Sequence, residues 1–457
     1  VEVEHTPDRI DMFGVEGFAR ALKFFLGLEK KVKKFKPLPP KLSIKVEKVP
    51  VRPFIVAAVI RKVKLSDSFI RSLMNIQEVL HETLGRKRAK VAIGIHDLDK
   101  IKPPIKYTQV SPKERMVPLG EKEEMTLEEI LKKTEKGRKY AFTISSSKYF
   151  PVFIDKKGIF SFPPILNSER TKVTEKTKNL LVEMTGISKE ALNIGLNVLV
   201  TNFAERGFRI EQVKIRYKKE REITPNLKEK ILEIDLNQAN SLIGFKLTPK
   251  KAKKLLLRMG MNSRILKNKL RVFIPPYRGD ILHPWDVFED LAIAFGLNNL
   301  NPELPPLFTK GKLDENEEFC NRIRTVLIGF GFQEVIRPCL SNLKDQFDKM
   351  NLERKRVVLL ENPVSEEYEC LRVWILPSLL KVLTANKHIE FPQMIFEVGD
   401  VVLIDSKEET MTKNVKKVGC VISHSKANFS QVKGILETFL RNFGVKYEVQ
   451  EASHPSF

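Results

Sequence analysis

Short runs of aromatic and β-branched residues alternate along the chain with stretches whose apolar positions recur at helical spacing. Tyr149–Ile154 has the composition of a strand. Asp155-Lys156-Lys157-Gly158 reads as a turn, with a glycine available for positive φ. Ile159–Phe162 is the return strand, and Pro163-Pro164 ends its ladder because neither residue has an N–H to donate. Ile165–Glu169 is expected to leave the sheet edge as an ordered loop. Asn179–Met184 returns as an apolar strand carrying Glu183, Thr185-Gly186 closes it, and Ser188 caps the helix Lys189–Ala204.

Upstream, VEVEH is strand-like, and Phe13, Val15, Phe18, Ala21, Leu22 and Phe25 mark a helix. Glu29–Pro53 is basic and carries Pro37, Pro39 and Pro40, which predicts a linker. Phe54–Val63 is an apolar strand. Ser66 or Asp67 caps a helix to about Leu84, with Phe69, Leu73, Ile76, Leu80 and Leu84 on one face. Gly85 ends it, and Arg86-Lys87-Arg88 suits a solvated helix C-terminus. The strand VAIGIH follows. Downstream, Arg209–Lys218 is a strand and Lys219–Asn226 a charged linker. Leu227–Leu300 then makes a separate small domain. It holds a helix Asp235–Ile243, a helix to Met259 opened by Thr248 and Pro249, and a hairpin over Ile265–Ile274. Phe319, Ile323, Val326, Leu327 and Phe330 mark a later helix.

Charge adds a class of partner. Lys and Arg number 80 against 57 Asp and Glu, a net +23 over 457 residues. That excess suits a polyanion, and it equally suits lysine scattered over an ordinary soluble surface. Cys320, Cys339, Cys370 and Cys420 are widely spaced without a CxxC, which argues against a zinc site or a disulfide framework. No apolar run approaches a membrane span and no signal peptide opens the chain, so a cytoplasmic protein is expected. The first residue is Val1 and the last three are Pro455-Ser456-Phe457. A fragment trimmed at both ends is therefore expected.

Two constellations carry candidate chemistry. Ser161, Asn167, Glu183 and Thr185 gather near one sheet edge, as a hydrogen-bonding pocket or as groups that satisfy loop backbone. Asp286, Glu289 and Asp290 stand on one helix face with Asp280 just upstream. Such carboxylates repel one another, and a hard cation such as Mg²⁺ would relieve them. An acidic helix N-terminus favoured by the dipole is the alternative.

The run FPPILNSE, followed by TKNLLVEMTG, resembles the editing domain of the phenylalanyl-tRNA synthetase β subunit of the archaeal and eukaryotic cytosolic type. The run Ile76-Gln77-Glu78, Arg-Lys-Arg and VAIGIHDLDKIKPPI is similar to the same family, as are PLG with EEMTLEEIL, and ENP, LR, LPSLL and FEVG near the C-terminus. The resemblance covers nearly the whole chain in family order. It implies an α/β and α+β multidomain protein. Residues 1–45 would be a partial N-terminal domain and linker, and 46–222 an α/β tRNA-editing domain. Residues 223–300 would be a small helix-hairpin magnesium-binding domain, and 301–457 an incomplete, catalytically silent class II synthetase-like antiparallel core.

Site residues follow from the same resemblance. Gln77, Glu78 and Arg88 would lie beside the ester to be hydrolysed, with Asn167 holding water or an oxyanion and Glu78 within reach as a base. Phe153, Ser161, Glu183 and Thr185 would bind the amino acid. Phe153 stands where the family has an aliphatic residue, which would narrow the pocket. Leu119 and Lys172 would touch tRNA, Lys172 only after a one-residue gap. Asp280, Asp286, Glu289 and Asp290 fit the family's magnesium pattern, facing the partner subunit. The implied function is support of aminoacylation by an α subunit that uses ATP, in an α2β2 heterotetramer with tRNA(Phe), together with hydrolysis of mischarged tyrosyl-tRNA(Phe). Two other readings stay open: a non-catalytic basic tRNA-binding assembly protein, and a metal-dependent nuclease built on the four carboxylates.

Overall fold

A computed structural model describes residues 4, 6–267, 269–304 and 307–457, so most of the strand-like VEVEH lies outside the described residues. The chain packs as two units, Val1–Glu303 and Leu304–Phe457.

The first unit opens with α1 (Val15–Phe25), β1 (Leu38–Val46), β2 (Phe54–Arg61), α2 (Asp67–Glu82), β3 (Val91–Asp97) and β4 (Ile105–Val110). A ribbon of β5 (Arg115–Met116) and β6 (Met125–Thr126) leads to α3 (Leu127–Lys133) and α4 (Glu135–Tyr140). Then come β7 (Phe150–Asp155), β8 (Gly158–Phe162), β9 (Leu166–Asn167), β10 (Asn179–Gly186), α5 (Lys189–Glu205), β11 (Arg209–Arg216) and β12 (Arg221–Thr224). One mixed sheet runs β3-β10-β2-β11-β1-β4-β7-β8-β9, with β12 also on β11. β1 is parallel to β11 and β4, and the other pairs are antiparallel.

Local hydrogen bonds set the helix starts. The side chain of Ser66 accepts from the Phe69 N–H, and that of Ser188 from the Ala191 N–H. Tertiary pairing overrides the local signals elsewhere. The proline-rich stretch expected as a linker is β1. Its prolines sit at the strand start, where register slips between Leu38 and Leu42, and Ile44 and Val46 still reach the core. The expected charged linker after β11 is β12: the Tyr217 N–H donates to the Glu220 carbonyl (2.9 Å) and turns the chain back. The expected loop after Pro164 contains β9, which pairs with β8.

β10 is buried on both faces, which is why it reads as a nearly continuous apolar run. Its side chains alternate between two cores. Leu180, Val182 and Met184 pack with Leu73, Ile76, Leu192 and Leu196 of α2 and α5. Leu181 faces the other way, among Tyr107, Phe153 and Phe160. Glu183, two residues on, shares that second face.

Within the same unit, β13 (Lys230–Asp235), α6 (Leu236–Ile243), α7 (Pro249–Arg258), β14 (Asn262–Leu266), β15 (Lys269–Ile274) and α8 (Pro284–Phe295) enclose a core of their own around Leu256, Val272 and Phe288. The three strands run β13-β15-β14.

The second unit contains α9 (Glu315–Gly329), β16 (Gln333–Glu334), β17 (Leu340–Ser341), α10 (Leu343–Gln346), β18 (Cys370–Leu371), α11 (Leu376–Ala385), β19 (Gln393–Ile404), β20 (Thr412–Ser423) and α12 (Phe429–Asn442). Its sheet is the antiparallel hairpin β19–β20 with a two-residue parallel edge, β16. Arg372 is fully buried there, donating to Glu397 Oε1 (2.6 Å) and to the Asp400 carbonyl (2.9 Å).

Removing one member of such a buried pair strands the other charge. Arg372→Met is expected to destabilise the second unit by about 3–5 kcal/mol in urea denaturation followed by circular dichroism, and Arg372→Met/Glu397→Leu to recover most of that loss. A single variant as stable as the parent would contradict the pairing.

Candidate active site

Among the described residues β3 pairs with β10 on one side and with no strand on the other. An unpaired edge leaves amides and carbonyls that need partners. Side chains supply them. His81 Nε2 accepts from the Ile93 N–H (2.8 Å), and Gln77 Nε2 donates to the Ile93 carbonyl (2.8 Å). Asn167 Nδ2, from β9 at the far end of the same sheet, donates to the Ile95 carbonyl (3.1 Å). The sheet curls until its two ends face each other, and a cavity of about 510 Å³ opens beside this seam.

Gln77, Glu78, Arg88 and Asn167 all line the cavity, as do Ser161 and Glu183. Glu183 is 2% exposed. Ser161 Oγ donates to its Oε1 (2.9 Å), and His96 Nε2 lies 3.6 Å from the same oxygen. Glu183 Oε2 and His96 Nε2 are buried without a hydrogen-bond partner among the described residues. Gly94 makes the room: a Cβ there would stand 2.2 Å from Glu183 Oε1. His96 and Gly94 were missed from the sequence, although a glycine inside a strand signals close approach of another group.

Arg88 corrects the solvated reading of the basic run. Arg86, Lys87 and Arg88 have φ of 47°, 52° and 66°, three left-handed residues in succession. This turn leaves Arg86 and Lys87 exposed and swings Arg88 inward. The Arg88 guanidinium donates to the Ile165 carbonyl (2.8 Å) and to Glu78 Oε1 (2.7 Å), and lies 4.1 Å over the Tyr140 ring. The Glu78 carboxyl is lowered to about 2, first by the His81 imidazole and then by Arg88, against burial. So acidic a carboxylate is a poor general base at neutral pH. It accepts from Arg88 and holds that side chain in place.

Two expected members stand outside the cavity lining. Phe153 is fully buried against Tyr107 (ring centroids 4.7 Å apart) and does not narrow the pocket. Thr185 shares the face of Glu183, but its hydroxyl accepts from Arg52 Nε (3.0 Å). Burial lowers Arg52 to about 10, and it remains a cation at neutral pH. Leu119 and Lys172 sit on the cavity wall; the Leu119 N–H donates to the Asn167 carbonyl (2.9 Å), and Lys172 pairs with Glu169 (3.0 Å).

Comparison with known proteins identifies the family. Residues 44–222 match the B3/4 domain, 232–297 the tRNA synthetase B5 domain, and 300–457 the phenylalanyl tRNA synthetase beta chain CLM domain. The phenylalanine–tRNA ligase β subunits of Archaeoglobus fulgidus and Methanocaldococcus jannaschii are 40% and 42% identical, over 100% of this chain and 83% and 84% of theirs. The chain belongs to the phenylalanine–tRNA ligase β-subunit family. A crystallised N-terminal fragment of the phenylalanyl-tRNA synthetase β subunit from Pyrococcus horikoshii, 39% identical, superposes with a TM-score of 0.63 over 64% of this chain and 86% of the fragment.

The four acids of the magnesium pattern implied by family resemblance have internal partners or face solvent. Arg278 donates to Asp280 Oδ2 (2.7 Å) and to Asp290 Oδ2 (2.7 Å), so an internal cation already neutralises two of the four acids. Asp286 accepts from the Leu282 and His283 N–H groups (2.7 Å each) and caps α8. Glu289 is exposed. Among the described residues no group of three or more His, Cys, Asp or Glu is arranged to hold a metal. The helical spacing of Asp286, Glu289 and Asp290 was legible, but the guanidinium between Asp280 and Asp290 was not.

Two outcomes follow from these charges. EDTA is expected to leave the melting temperature of the full chain unchanged, while Arg278→Met, which strands two carboxylates, lowers stability by about 3–5 kcal/mol. A fall on chelation that Mg²⁺ reverses would contradict the Arg278 account. Burial lowers His81 from 6.5 to about 4. The unfolded chain therefore takes up this proton at a higher pH than the folded chain, and folding stability is lost as pH falls from 6.5 to 4. His81→Gln keeps an acceptor for Ile93 and is expected to remove up to roughly 3 kcal/mol of that pH dependence. Urea titrations of both proteins across the window check it.

Proposed function

We propose that the chain acts as the β subunit of phenylalanine–tRNA ligase beside an α subunit, in an α2β2 assembly in the cytoplasm, and that its cavity hydrolyses tyrosyl-tRNA(Phe). ATP, with its Mg²⁺, is used by the α subunit. The second unit contributes no catalysis of its own; in support, Arg372 is committed to Glu397 and Asp400. No described helix is long and apolar enough to cross a membrane.

The observation that carries the hydrolytic reading is the unpartnered Glu183 Oε2 beside Ser161 in a preformed cavity. Tyrosine differs from phenylalanine by one hydroxyl. A pocket shaped for phenylalanine rejects that addition weakly, whereas a site built to bind the hydroxyl rejects its absence strongly. The phenol would donate to Glu183 Oε2. Phenylalanine would leave that oxygen unpaired, at roughly 1–3 kcal/mol.

Hydrolysis breaks the bond between the aminoacyl carbon and the ribose oxygen, and water adds to that carbon. Asn167, at the seam, would hold the water or donate to the oxyanion with the N–H that Ile95 does not use. Gln77 and Arg88 would orient the ester. With Glu78 too acidic to serve as base, the vicinal ribose hydroxyl would relay the proton to the leaving oxygen.

One observation favours the non-catalytic RNA-binding reading: Gln77, Arg88 and Asn167 all make hydrogen bonds that the fold itself needs. Deacylation assays separate the two. Asn167→Ala is expected to slow tyrosyl-tRNA hydrolysis by about 10²–10³. Glu183→Ala is expected to gain hydrolysis of phenylalanyl-tRNA while keeping some tyrosyl activity. If Glu183→Ala loses tyrosyl hydrolysis and gains none on phenylalanyl-tRNA, the carboxylate is not the hydroxyl reader.

A further inference from the structure

A second concavity lies apart from the cavity just described, and no residue lines both. It is an open groove of about 1930 Å³ between the β1 segment, the Pro103-Pro104 turn and the β11–β12 hairpin. Lys41, Lys45 and Lys48 line it from β1 and the loop that follows. Arg216, Lys218, Lys219 and Arg221 line it from the hairpin. Against these seven cations stand two carboxylates, Glu47 and Glu220, which leaves a net +5. Lys45 is paired with Glu47 at 3.3 Å. Among the described residues the other six cations have no ion-pair partner within 4.0 Å, and all six are exposed.

Such a concentration of like charge is costly unless something neutralises it, and its chemistry selects the occupant. Five of the seven cations are lysine. Protein interfaces are depleted in lysine and centre on buried apolar anchors. None of the exposed large apolar side chains lines this groove. Lys and Arg on both walls instead match repeated phosphates along a strand. Base stacking would need a free aromatic face. Tyr217 in the lining is half-buried, with its hydroxyl accepting from the Ile55 N–H (3.0 Å). We infer that this groove binds the sugar–phosphate backbone of a double-stranded RNA stem, by charge and without reading sequence. The inference does not depend on hydrolysis in the cavity.

The test uses the full chain and a fluorescent RNA hairpin, with binding followed by anisotropy across a salt series. Lys41→Glu/Lys218→Glu/Lys219→Glu changes three exposed side chains that carry no hydrogen bond among the described residues, and the matching Lys→Gln set guards against new repulsions. The Glu set is expected to weaken binding at least tenfold and the Gln set several-fold, and both to flatten the salt dependence by about two to three counterions. Melting curves report whether both sets fold. Lys250→Glu/Lys253→Glu/Lys254→Glu on α7 carries the same charge change at exposed positions outside the groove, and is expected to weaken binding less than threefold. Equal loss in this control would assign binding to net charge alone and overturn the inference. So would unchanged RNA affinity in the Glu set, including the case in which that set instead loses association with an α subunit in sedimentation, which would make the groove a protein interface.

Discussion

The unpaired edge of β3 is the constraint on which the candidate site depends. A strand buried on one side of a curled sheet cannot leave its outer amides and carbonyls without partners. Among the described residues no strand covers this edge, and α2 and β9 cover it with side chains. His81 and Gln77 stand one helical turn apart and reach the same residue, Ile93, through its N–H and its carbonyl. Asn167 reaches Ile95 from the opposite end of the sheet. Polar side chains are thus held at fixed positions around a hollow that backbone pairing would have filled. Groups positioned by the fold are suited to act on a substrate without further ordering.

Internal guanidinium groups hold several of the buried polar clusters. Arg52 holds Thr185 and the backbone at Arg88 and Ala89, Arg88 holds Glu78, Arg278 holds Asp280 and Asp290, and Arg372 holds Glu397. Arginine suits these places because its planar fork satisfies several acceptors at once and stays charged when buried. Lysine, by contrast, remains on the surface, five residues of it in the groove beside β1. The net charge of +23 thus divides into an interior set that organises the fold and an exterior set available to a polyanion.

The sequence disclosed what is decided locally. The caps at Ser66, Ser188 and Thr248 are hydrogen bonds within four residues, and each stands where its side chain and the following apolar stripe put it. The two faces of β10 follow from period-two alternation, which brings Glu183 to the same layer as Leu181. Distant pairing was hidden. Pro39 and Pro40 argued against β1, yet β11 and β4 pair with the residues after them. The inward turn of Arg88 depends on three left-handed residues that are not glycine, a conformation propensity disfavours. Arg278 lies two residues before Asp280 and 12 before Asp290, which sits inside α8, so no spacing rule joins them. Of the four residues that topology gathers at one sheet edge, Ser161, Asn167 and Glu183 line the cavity and Thr185 turns to Arg52, while Phe153, chosen by family position, turns to the core.

The most direct measurement is a crystal structure of the chain with a non-hydrolysable amide analogue of tyrosyl-adenosine. The account predicts the phenolic oxygen within hydrogen-bond distance of Glu183 Oε2 and the amide carbonyl near Asn167. An analogue seated in the cavity with its phenol turned to the rim, or bound elsewhere on the protein, would contradict it.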